Sequence, residues 1–177
     1  MPVILAVIAA VSGLLFYVLR ARNAANAATE LFDMANDVRL AARRFGFRRQ
    51  TNLHPAESIE DANIAIAGIA SAFLELDDLP TGEQREALAW ELSKVLKLNK
   101  DDADEMCILG RWMVSECGGA DPAIARLSRK LYRLDGSASF TALLTIISGT
   151  LGQAKGSGLN QKQTEALGDV KRAFKIR

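Results

Sequence analysis

Uncharged residues run without interruption from Met1 to Leu19, MPVILAVIAAVSGLLFYVL, and Arg20 and Arg22 close the run. A helix of that length rises about 28 Å, close to the roughly 30 Å hydrocarbon thickness of a bilayer, so the pattern predicts a transmembrane anchor over 1–19. A mid-membrane arginine costs about 2.5–3.5 kcal/mol to insert, which places the lipid boundary at Leu19. A cleaved secretory signal fits poorly, because its positive charge belongs before the apolar run. After the anchor the spacing turns amphipathic. Ala24, Ala27, Leu31, Ala35, Val38, Ala41 and Phe45 recur every three or four positions and predict a basic neck helix over 20–49, broken at Gly46. Its thin, alanine-rich stripe favours packing on protein over deep insertion in lipid.

QTNLHPA, residues 50–56, reads as a linker, since Pro55 pushes His54 away from helical geometry. His54 is taken as incidental there. Beyond it helical periodicity predicts six helices, over 57–76, 81–97, 100–117, 121–134, 139–152 and 160–175, with no competing strand pattern. Three starts share one chemistry: Thr81 with Gln84, Asn99 with Asp102, and Asn160 with Gln163 place a capping side chain three residues before a polar one. Gly118-Gly119, Asp135-Gly136 and Gly156-Ser157-Gly158 supply the breaks. The periodic apolar positions Ile59, Ile66, Ile69, Phe73, Leu76, Leu88, Leu92, Val95, Leu96, Ile108, Trp112 and Met113 are the expected core. Trp90 is left over for a partner surface. The expected architecture is all-α: an anchor and neck, then one helical domain over 57–177.

Charge sharpens this picture. The net of +1 conceals +4 over residues 1–56, −9 over 57–106 and +6 over 107–177. An acidic stretch between two basic ones predicts packing of one on the other, within the chain or between two copies. Near the span every Lys and Arg lies on its C-terminal side, so the positive-inside rule places the N-terminus outside and the domain in the cytoplasm. Ala9 and Gly13 form a small-xxx-small pair that would let two anchors pack, leaving a homo-oligomer open. Arg43, Arg44, Phe45, Phe47, Arg48 and Arg49 interleave aromatics with bases, a pattern suited to the positive-inside flank or to anionic lipid. Over 121–134, Ile124, Leu127, Leu131 and Leu134 form an apolar stripe. Beside it Arg126, Arg129, Lys130 and Arg133 form a basic one, open to solvent, to the acidic stretch or to an anionic partner. The acidic middle argues against nucleic acid.

The chain lacks the makings of a reactive centre. Cys107 and Cys117, ten residues apart on one predicted helix, would stand about 15 Å apart, too far for a disulfide. With one histidine there is no Cys/His ligand set, and no nucleophile–base pair or phosphate loop is present. No catalytic residue and no organic cofactor are expected.

FLELDDLPTGEQREALAWEL, then DDADEMCILGRWM after a Leu-Asn break, then KLYRLDGSASFTALLTII and GLNQKQTEALGDVKRAFKI, together resemble the TerB-like family of all-helical domains. That family is known from tellurite-resistance proteins and from the N-terminal region of membrane-anchored DnaJ-like co-chaperones. The resemblance implies a membrane-tethered helical platform with two acidic turns, in a bacterial inner membrane as a single-pass protein. It implies membrane or membrane-associated protein partners and an accessory role. A J domain is absent, since His54-Pro55-Ala56 lacks the aspartate of the required tripeptide. Family members proposed to bind divalent metal use carboxylates of the acidic turns. Here Asp77, Asp78, Glu83 and Asp135 remain as candidate ligands, and a metal- or oxyanion-dependent stress response is the alternative function. In that family the acidic turn is typically Asp-Gly followed some seven residues on by Glu, and it occurs twice; here Asp78 stands for the Gly and Gln84 for the Glu of the first turn, and Ala142 for the Glu of the second.

Overall fold

The computed structural model describes residues 35–76, 80–153 and 159–176, and all regular structure among them is helical. The predicted anchor over 1–19 lies outside these residues. Among the described residues no helix is long and apolar enough to cross a membrane. The chain divides into two compact units, residues 1–37 and 38–177, and the helical bundle is the second.

Among its described residues the bundle is built by α1 (Ala62–Leu74), α2 (Gly82–Leu96), α3 (Lys100–Glu116), α4 (Ala120–Asp135), α5 (Phe140–Gln153) and α6 (Gln161–Ala173). The predicted caps form. Thr81 and Asn160 each accept the backbone N–H three residues on, while Gln84 and Gln163 return the bond, giving two complete capping boxes. Asn99 accepts from the Asp102 N–H, but its own amide donates to the Asp102 carboxylate instead. Gly118 and Gly119, at φ +86 and +121, make the corner between α3 and α4. Lys97 ends α2 in the left-handed region at φ +57, a break for which the sequence offers no glycine.

The first predicted helix requires correction. Residues 57–61 are not α-helical: Pro55–Ser58 forms a 3₁₀ turn, Ile59 is extended, and α1 begins only after Asp61 accepts the Asn63 N–H. The turn takes Pro55 at its first position, where the missing N–H is harmless. The predicted linker therefore runs into ordered structure.

α1, ANIAIAGIASAFL, is the axis of the fold, with all eleven residues from Ile64 to Leu74 buried. A helix apolar on every side needs cover on every side. α3 and α4 pack on it most extensively, α2 and α5 also reach it, α2 bridges α3 and α5, and α6 lies on α4. Close approach is set by glycine: a Cβ on Gly110 of α3 would stand 2.8 Å from the Ala67 carbonyl oxygen of α1, and one on Gly68 would stand 2.7 Å from Leu127 Cδ1 of α4. Most of the expected core is buried, including Ile59, Ile66, Ile69, Phe73, Leu76, Leu88, Leu92 and Met113. Val95, Leu96 and Trp112 pack at its edge.

Candidate functional site

The neck sequence ends inside this unit. Residues 35–44 are helical, and the helix closes with Phe47 N–H bonded to the Ala42 carbonyl at 2.7 Å and Gly46 at φ +65. Ala41 is fully buried and Phe45 is half-buried against the core. Phe47 meets Trp112 of α3 edge-on, with ring centroids 5.7 Å apart. The guanidinium of Arg44 lies 3.0 Å from both Asp102 and Glu105, and Arg49 lies 3.7 Å from Glu116. Arg44, Phe45, Phe47 and Arg49 thus hold the end of the neck against α3, while Arg43 and Arg48 stay exposed.

His54 has a larger part than its place before a proline suggests. Its Nδ1 accepts the Ala56 N–H at 3.1 Å, capping the 3₁₀ turn, and its Nε2 lies 3.0 Å from the Glu116 carbonyl oxygen at the end of α3. Those two bonds together require the neutral ring with the proton on Nε2, which donates to the carbonyl. No sequence pattern announces this, because the acceptor stands 62 residues away.

On α4 the basic stripe keeps its helical spacing and meets one acid. Arg133 lies 2.5 Å from a Glu57 carboxylate oxygen, and Lys130 Nζ donates to the Glu57 carbonyl at 2.7 Å. Arg126 and Arg129 form no ion pair among the described residues, and Arg129 is exposed. Arg126 lies near enough to Cys117 to lower its thiol pKa, although burial and the neighbouring Glu116 and Glu57 leave it raised.

Between the C-terminal end of α1, the N-terminal half of α2 and the middle of α3 is a recess of about 240 Å³. Leu74, Leu88, Ala89 and Ile108 form apolar wall, and Glu75, Glu86 and Arg111 stand among the charged residues lining it. Burial pushes the Glu75 carboxyl up, and the nearby Arg111 opposes that shift. Cys107 lines the recess too, and burial, helped by Asp104, pushes its thiol up to about 12. Such a thiol is a small apolar wall and a poor nucleophile. Trp90, 63% exposed, stands one turn beyond Glu86 on the same face of α2. Periodicity could not find the recess, since its walls come from three helices.

Of the four acidic-turn candidates, Glu83 and Asp135 fall among the described residues. Asp77 and Asp78 lie outside them. Glu83 is an exposed first-turn residue of α2, and the Asp135 carboxylate accepts the Ser139 hydroxyl at the start of α5. Among the described residues no three His, Cys, Asp or Glu side chains gather as a metal site would require. Cys107 and Cys117 are free thiols. Comparison of the chain with protein-family models, with curated proteins and with solved structures finds no match.

Proposed function

We propose that this chain is a non-enzymatic adaptor, held in a bacterial inner membrane by residues 1–19 and presenting a TerB-like helical bundle to protein partners on the cytoplasmic side. The observation that carries the reading is the uncharged run closed by Arg20 and Arg22, joined to a helical domain in which Thr81 and Asn160 cap helices and Arg44 and Arg133 pair with acids. The apolar recess with Trp90 beside it supports a partner site, because a large aromatic at 63% exposure offers contact area that the fold itself leaves unused. A protein partner would seat an apolar side chain between Leu88 and Ile108 and cover Trp90.

Two measurements on the full chain in cells test this. Alkaline extraction of membranes should leave the protein in the pellet, and a photo-crosslinking amino acid at position 90 should trap one discrete partner, reduced when Ile108→Glu charges the recess. Recovery of the chain in the soluble fraction defeats the anchor. A crosslink pattern indifferent to Ile108→Glu defeats the site.

A further inference from the structure

We propose that the basic face of α4, with the linker packed beside it, is a docking surface for anionic lipid headgroups. Four bases at i, i+3, i+4 and i+7 share one side of α4, and Arg49 joins them through the end of α3, where it pairs with Glu116. His54 and Glu57 reach the same corner, His54 through the Glu116 carbonyl and Glu57 through Lys130 and Arg133. Arg49 pairs with Glu116 and Arg133 with Glu57, while among the described residues Arg126, Arg129 and Lys130 form no ion pair.

The strongly acidic stretch over 57–106 is the natural intramolecular partner for this face, and the bonds between them run from Glu57 to Lys130 and Arg133. The remaining guanidinium groups are planar forks suited to phosphate oxygens. The linker adds Leu53, an apolar side chain 47% exposed and adjacent in the chain to His54. A basic helix face with an exposed leucine in the adjoining linker matches a layer whose outer face is anionic and whose inside is apolar, better than it matches a fully solvated acidic segment. The choice of lipid rests on the membrane-anchored reading, while the basic face itself does not.

The test uses the full chain in nanodiscs of brominated phosphatidylcholine, with or without phosphatidylserine, and Leu53→Trp as a reporter quenched by bromine. The parent chain supplies the background from Trp90 and Trp112. Quenching of the reporter should rise in the phosphatidylserine discs and fall as salt screens the face. Each base near an anionic surface strengthens binding about fivefold, so Arg126→Gln with Arg129→Gln should weaken docking about 25-fold. Circular dichroism should show these variants folded, because among the described residues neither arginine takes part in an ion pair.

Equal quenching in both disc compositions, or quenching unchanged in the double variant, overturns the proposal. So does a salt-sensitive change of the reporter with polyglutamate or single-stranded DNA but none with phosphatidylserine, which would assign the face to a protein or nucleic acid. If the chain fails to co-elute with neutral discs, the anchor is refuted separately. The same reporter and variants in sedimentation with phosphatidylserine vesicles then decide the docking face.

Discussion

Replacing Gly110 with alanine probes the contact on which the architecture turns. In an exposed helix that change gains about 1 kcal/mol, since alanine is the better helix former. At Gly110 the new Cβ would lie 2.8 Å from the Ala67 carbonyl oxygen, 2.8 Å from Ser71 Oγ and 3.0 Å from the Ala67 carbonyl carbon. Ordinary contact lies near 3.5 Å, so α1 and α3 must separate by about 0.7 Å. α1 has nowhere to go, because Leu127 of α4 already presses on Gly68 from another side. Overpacking of this kind costs about 1–3 kcal/mol, and confinement puts this case near the upper end. The expected net effect of Gly110→Ala is a loss of about 2 kcal/mol, by urea unfolding of the purified full chain followed by circular dichroism. Gly168→Ala, in α6 with nothing within 4 Å of its Cβ, is the matched control and should gain about 0.5–1 kcal/mol. Ser71→Ala should recover less than half of the loss in the Gly110→Ala background, because the backbone contact with Ala67 remains. Gly110→Ala at or above parental stability would refute the close α1–α3 crossing, and full rescue by Ser71→Ala would show that a side chain alone sets it.

Thiol chemistry should divide the cysteines. With its pKa near 12, Cys107 carries about one thiolate in ten thousand at pH 8. Ellman's reagent should therefore label Cys117 first and Cys107 only on unfolding, and early labelling of Cys107 would contradict its burial. The unfolded thiol ionises near 9.0 and the folded one near 12, so between those values the unfolded chain binds fewer protons and stability falls as pH rises. Cys107→Ala should flatten that decline in urea titrations from pH 8 to pH 11. Arg44→Ala, which removes contacts to Asp102 and Glu105 at a half-exposed site, should cost about 0.2–1 kcal/mol at low salt and less at 0.5 M salt. A salt-independent loss would mean that Arg44 acts through its aliphatic stem. Thr81→Ala and Asn160→Ala each delete a capping box and should each cost about 1 kcal/mol, added together in the double variant because they cap different helices. Hydrogen exchange in the first turn of each helix would locate the effect.

What the sequence determined is local. Thr81, Asn99 and Asn160 announce helix starts because a cap bonds within three residues, and the Ile124–Leu131 stripe announces a buried face because period 3.6 is a property of one helix. Gly118-Gly119 and Asp135-Gly136 mark corners for the same reason. The start of α1 was misplaced because Glu57–Ile59 has a helical composition, while Glu57 is held by Lys130 and Arg133 more than seventy residues away. Likewise the neck bases cannot be read as lipid-facing or protein-facing from their order alone. Asp102, Glu105 and Glu116 decide the matter for Arg44 and Arg49, and only folding brings α3 beside them. The recess walled by Leu74, Leu88 and Ile108, the two bonds of His54 and the closeness permitted by Gly110 are likewise products of three-dimensional packing. Capping and amphipathicity are written in neighbouring residues. Burial, ion pairing and cavity shape depend on which distant segments meet, and the central helix α1, needing cover on every side, decides that.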